Sequence, residues 1–183
     1  MRYANERLLA RLGGSPHRER FVLKGAALFT LWSGSPHRAT RDLDLLGFSD
    51  PDGELLHGLF RDLRLGDAGD GVGFDTGTLV VDPIRHEQAY DGQRLTVTAW
   101  IGSARIRLQV DVGYGDAITP EAVEAAFPAL LEFEPPRLRA YPPETVVAEK
   151  LEAAVRLGVA NSRMKDFYDL AAIAGLFEFD GDL

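Results

Sequence analysis

Asp42 and Asp44 flank a single leucine in the stretch Arg38-Ala39-Thr40-Arg41-Asp42-Leu43-Asp44-Leu45-Leu46. On a strand, alternate side chains share a face, so the two carboxylates emerge together, about 7 Å apart. Carboxylates crowded on a partly buried face repel by a few kcal/mol at an effective dielectric of about 20. Such a pair calls for a cation. Two oxygen ligands that leave room for water and phosphate suit Mg2+, or Mn2+ in its place. Upstream, Phe21-Val22-Leu23-Lys24 reads as a short apolar strand, and Gly25 then opens a helix beginning at Ala26. The start of a helix offers amide N–H groups and a positive dipole end, which together hold phosphate oxygens. Asp111 sits on the polar side of an alternating strand. A carboxylate there would complete a two-metal site, with cations about 4 Å apart, for activating a hydroxyl and stabilising a leaving pyrophosphate. Two plainer readings compete: strand-end charges for Asp42 and Asp44, and an ion pair with Arg105 or Arg107 for Asp111.

Around these residues the pattern predicts an α/β chain. Met1–Leu12 reads as an amphipathic helix stopped by Gly13-Gly14. Ala26–Trp32 is a helix, Asp42–Phe48 a strand, Asp50-Pro51-Asp52-Gly53 a turn and Glu54–Leu65 a helix. The stretch Gly66–Gly73 is loop-like. Strands follow at Leu79–Asp82, Arg94–Ile101 and Arg105–Val112, the last two joined by a Gly102-Ser103 hairpin turn. Leu95, Val97, Ala99 and Ile101 share one face; so do Ile106, Leu108, Val110 and Val112, opposite Arg105, Arg107, Gln109 and Asp111. Thr119-Pro120-Glu121 has the signature of a helix start, which predicts a helix to about Leu131. Pro135-Pro136 and Pro142-Pro143 bracket a linker. Glu144–Leu157 and Met164–Ala174 are helices closed by Gly158 and Gly175. The expected division is a domain over 1–135 and a helical segment over 142–183, the latter expected to be the start of a longer helical C-terminal domain.

The chain has 183 residues, 45% of them hydrophobic, enough for a real core. With no cysteine, it forms no disulfide or thiolate site. His17, His37, His57 and His86 lack ligand spacing, which argues against zinc. The N-terminus lacks the apolar core of a signal peptide, and no run approaches the roughly 20 apolar residues of a membrane span. The expectation is a cytoplasmic protein without a membrane partner. A net charge of −8 argues against a broad nucleic-acid clamp. Nearly all the basic residues are arginine. Lysine occurs only at positions 24, 150 and 165, a distribution that hints at a need for compact point charges there.

Taken together, Lys24-Gly25-Ala26-Ala27-Leu28, Arg38-x-Thr40-x-Asp42-Leu43-Asp44-Leu45, Glu149-Lys150-Leu151-x-Ala153 and Arg163-x-Lys165-Asp166-Phe167-Tyr168-Asp169-Leu170 resemble the AbiEii/AbiGii toxins. These belong to the DNA polymerase β-like nucleotidyltransferases, and the MenT toxins are similar. The resemblance spans nearly the whole chain. It implies a mixed sheet flanked by helices. Gly25 and Ala26 match a Gly-Ser phosphate loop, with alanine in place of the serine. Thr40, Asp42 and Asp44 match the metal motif, and Asp111 looks like the third carboxylate. Lys150 matches a lysine that contacts the triphosphate, and Asp166 an active-site aspartate. For Lys150 the competing reading is a solvated helix residue. For Asp166 and Asp169 it is a helix cap or a surface ion pair, and Phe167 and Tyr168 read as core and rim of the helix packing. Lys24 is a strand-end structural or anion contact.

The reaction implied is NMP transfer from an NTP to an acceptor hydroxyl, with release of pyrophosphate. Asp44 or Asp111 assists deprotonation, and Lys150 balances charge on the triphosphate. The acceptor implied is tRNA or another RNA. The biological role is the toxin of a toxin–antitoxin or abortive-infection system directed against phage, restrained by a cognate antitoxin. Two alternatives stay open: a small-molecule, antibiotic-type nucleotidyltransferase, and a non-catalytic module that binds nucleotide or docks a protein.

Overall fold

The computed structural model describes residues 1–48, 52–63, 68–84 and 92–179. Part of the expected Asp50–Gly53 turn, part of the 66–73 loop and His86 lie outside them. The chain divides into two compact units. One comprises residues 1–116 and 123–140; the other comprises 117–122 and 141–183.

The first unit is built on a seven-stranded mixed sheet. Its strands are β1 (Phe21–Lys24), β2 (Asp42–Gly47), β3 (Val72–Ile84), β4 (Gly92–Ile101), β5 (Ala104–Tyr114), β6 (Val123–Ala126) and β7 (Arg137–Ala140). They lie in the order β3-β4-β5-β2-β1-β7-β6. The β2–β5 and β1–β7 pairs are parallel, and the other neighbours are antiparallel. The alternation of apolar and polar residues sorts the faces. Leu43, Leu45, Leu95, Val97, Leu108, Val110 and Val112 are buried, while Asp42, Asp44, Gln109 and Asp111 are only partly covered. Among the described residues, three α-helices accompany the sheet: α1 (Arg2–Gly13), α2 (Ala27–Ser33) and α3 (Gly53–Asp62). Helix α1 buries Ala4, Leu8, Leu9 and Leu12. Its end runs so close to β7 that a Cβ at Gly13 would collide with the Arg137 carbonyl. Asp52 caps α3, accepting from the Glu54 and Leu55 amides at 2.9 and 3.3 Å.

Two expectations fail here. No helix follows Thr119-Pro120-Glu121. Residues 123–126 instead form β6, paired antiparallel with β7, and the Leu130 amide donates to the Glu6 carboxylate of α1 at 2.8 Å. Tertiary pairing overrides a local start signal that is worth only about 1 kcal/mol. The proline-bracketed linker is likewise partly a strand. Leu138 and Ala140 of β7 are buried, and Val22 and Leu23 of β1 pair with Arg139 and Ala140. Prolines at both ends punctuate a short strand as readily as they mark a linker. β3 also extends well beyond the expected Leu79–Asp82, with a register shift between Asp75 and Val80.

In the second unit, α4 (Pro143–Leu157) ends at Gly158, whose φ of 52° suits glycine. α5 (Met164–Leu176) follows. The Thr119 amide donates to the Thr145 hydroxyl at 3.0 Å, and that hydroxyl donates to the Thr119 carbonyl at 2.9 Å, tying residues 117–122 to α4. Among the described residues, no helix is long and apolar enough to cross a membrane.

Candidate active site

Strand register assembles a row of charge across the first unit. Lys24 of β1 lies opposite Asp44 of β2, and Asp44 opposite Asp111 of β5. Asp111 lies opposite Arg94 of β4, and Arg94 opposite Asp82 of β3. Residues in register share a face, with Cβ atoms about 5 Å apart. Asp42, two positions along β2, stands beside Gln109 on the same face. Two aspartates on neighbouring strands would repel, and the cations on either side of them offset that repulsion.

Asp44 also shapes the turn that follows β1. Gly25 has a φ of 69° and approaches Asp44 so closely that a Cβ would lie 2.7 Å from the carboxylate carbon and 2.8 Å from its Cβ. Only glycine satisfies both conditions. The first residues after it, Ala26 and Ala27, are buried and start the short helix α2. Thr40 donates its hydroxyl to the Asp42 carbonyl at 3.1 Å, fixing the entry to β2. Lys24 reaches sideways to Asp116, 2.5 Å away.

Asp111 is engaged by donors on both oxygens. Arg94 Nε and Nη2 bind Oδ1 and Oδ2 at 2.9 and 2.7 Å, a bidentate fork. Gln109 Nε2 adds longer contacts of 3.2 and 3.4 Å. The Arg94 pKa is raised, first by its hydrogen bond to Asp111 and then by the charges of Asp111, Asp42 and Asp44, against the opposing effect of burial. Among the described residues, no three Asp, Glu or His side chains form a group able to hold a metal. The ion-pair reading of Asp111 named the wrong arginines: Arg105 and Arg107 lie opposite Trp100 and Thr98. Arg94 went unnoticed, although the hairpin reveals it. Partners in a two-residue hairpin are equidistant from the turn, and Arg94 and Asp111 are equidistant from Gly102-Ser103.

The second unit gathers Lys150, Asp166 and Asp169. Lys150 Nζ lies 2.9 Å from both Asp166 Oδ1 and Asp169 Oδ2, and Arg163 Nε lies 2.6 Å from Asp166 Oδ2. Asp166 and Asp169 are buried, 3% and 1% exposed, so neither is a surface pair or an exposed cap. Phe167 and Tyr168, expected in the packing, are instead about half exposed (45% and 55%). Residues 166, 169 and 173 share one face of α5 at helical spacing. The partly buried Lys150 draws the two aspartates inward and turns the aromatics out.

A mixed sheet carrying paired aspartates beside a glycine turn defines the nucleotidyltransferase class. Over residues 7–183 the chain matches the model of the nucleotidyl transferase AbiEii toxin family, type IV toxin–antitoxin system, and it belongs to that family. Two crystal structures share the fold. JHP933 from Helicobacter pylori superposes with a TM-score of 0.60 at 17% identity, over 96% of this chain and 67% of that one. A putative nucleotidyltransferase from H. pylori does so with a TM-score of 0.56 at 18% identity, over 96% and 69%. The chain thus spans about two thirds of the length of each. No curated protein matches it. The enzyme is a nucleotidyltransferase of a toxin family.

Proposed function

We propose that the chain transfers a nucleoside monophosphate from an NTP to a hydroxyl of tRNA, with a divalent ion, Mg2+ or Mn2+, held by Asp42 and Asp44. The observation that carries this reading is the placement of both carboxylates on one face of β2, with Gly25 folded against Asp44. Oxygen donors of this kind, partly covered and facing a polar surface, fit a hard cation. When bound, the ion supplies charge neutralisation at the triphosphate. The chain's own groups do the rest. Asp44 or Asp111 takes the proton of the attacking hydroxyl. The new bond joins the acceptor oxygen to the α-phosphorus. The bond from that phosphorus to the bridging oxygen breaks, and pyrophosphate leaves with the electron pair. Toxin activity would then follow from blocking the acceptor, with a cognate antitoxin restraining it.

Labelled NTPs, Mg2+ and total RNA test this directly. Label should enter the tRNA fraction with wild type and disappear with Asp42→Asn or Asp44→Asn. Transfer that survives either substitution would overturn the assignment. The net charge of −8 favours a small acceptor as the second reading. Label appearing on an added aminoglycoside but not on RNA would establish it.

A further inference from the structure

We propose that Arg94 takes the place of a second cation: its guanidinium neutralises Asp111, so the active face works with a single divalent ion held by Asp42 and Asp44. The inference rests on the reading of those two residues given above. Three observations carry it. First, the fork is complete, with each Asp111 oxygen bound by its own guanidinium nitrogen, at 2.9 and 2.7 Å. Binding a metal at Asp111 requires that fork to open or two cations to crowd one carboxylate. Second, the pairing is set by the backbone. Arg94 and Asp111 are direct cross-strand partners, so the contact does not depend on a long side chain finding a distant acceptor. Third, Arg94 stands one strand further from Asp44 than Asp111 does, in the same row. Its charge reaches the Asp42 and Asp44 carboxylates as well as its partner's. The face thus carries a fixed positive charge where a two-metal site would need an exchangeable one. Arginine suits the task because it stays charged at any working pH and binds a carboxylate bidentately, which lysine cannot.

Mn2+ titration of the full chain, followed by electron paramagnetic resonance, tests this without any turnover. Wild type should bind one Mn2+ per chain, and Asp44→Asn should weaken it by at least about tenfold. The double variant Arg94→Ala/Asp111→Asn removes the pair without changing net charge. It should leave Mn2+ affinity within about threefold of wild type, whereas even the loss of a group supporting a ligand costs about tenfold or more. Arg94→Ala alone strips the guanidinium from Asp111, leaving the longer Gln109 contacts, and should raise the stoichiometry to two. Two Mn2+ per wild-type chain, or a loss beyond about threefold in the double variant, would overturn the proposal. Thermal melts of each variant confirm that it is folded. Absent Mn2+ binding, or binding indifferent to Asp44→Asn, identifies a different failure: the reading of Asp42 and Asp44 as ligands falls, and this inference falls with it.

Discussion

Gly25 is the residue at which backbone and chemistry are least separable. A side chain there must adopt a left-handed φ, which costs about 1–2 kcal/mol, and must also displace the Asp44 carboxylate. Gly25→Ala is therefore expected to lower stability by about 2 kcal/mol and to lower transfer far more than the melt explains. Calorimetry and the label-transfer assay, run side by side, check this. Proportionate losses in the two would mean that the glycine serves the fold alone. Thr40 makes a gentler case. Its hydroxyl bonds a backbone carbonyl rather than a carboxylate. Thr40→Val should thus cost about 1 kcal/mol in stability, readable by denaturant titration.

Elements bring charges together that single residues would not tolerate. Lys150 on α4 holds two buried carboxylates of α5. Lys150→Ala removes the ammonium that both carboxylates share in a poorly hydrated place, and breaking a buried pair in this way costs about 3–5 kcal/mol. Any activity loss in that variant must be weighed against its chemical denaturation curve. Near the other end of the chain, Arg11 of α1 binds Asp70 with both terminal guanidinium nitrogens, one at 2.9 Å. Burial pushes the Asp70 carboxyl up, but Arg11 and the Val72 amide outweigh it and hold the pKa below the usual carboxylate range. A depressed folded pKa contributes stability that is present above the unfolded value, about 3.9, and lost as pH falls through the folded one. Arg11→Ala should cost about 3 kcal/mol at pH 7 and progressively less below pH 4 (urea melts at both pH values report the difference). How far such elements were legible in the sequence depended on whether local signals coincided with their partners. β1, α2 and β2 were legible because short apolar runs, Gly25 and the Asp-x-Asp alternation all agreed. The row through Arg94 was readable from one turn but needed the hairpin counted through. β6 was not readable, because Val123–Ala126 pairs with a strand that two proline pairs disguise. The inward turn of Asp166 and Asp169 was hidden for another reason: a helix face normally buries its aromatics, and Lys150, from another helix, reverses that preference.

For the molecule as a whole, charge would set how the proposed RNA acceptor is engaged. With a net charge of −8, few phosphates would be neutralised at once. The affinity for tRNA should fall with salt along a log–log slope no steeper than about −4, measurable by fluorescence anisotropy across salt concentrations; a slope near −8 would indicate an extended clamp instead. The tie between Thr119 and Thr145 bears on how the polypeptide is assembled. Residues 117–122 belong with the helices, yet they are synthesised before β6 and β7, and their partner on α4 emerges only later. On the ribosome this hexapeptide must wait, unmatched, while the sheet takes its last two strands. A stop codon after Ala140 would make the wait permanent. Dissecting the protein by one cut therefore yields a damaged half.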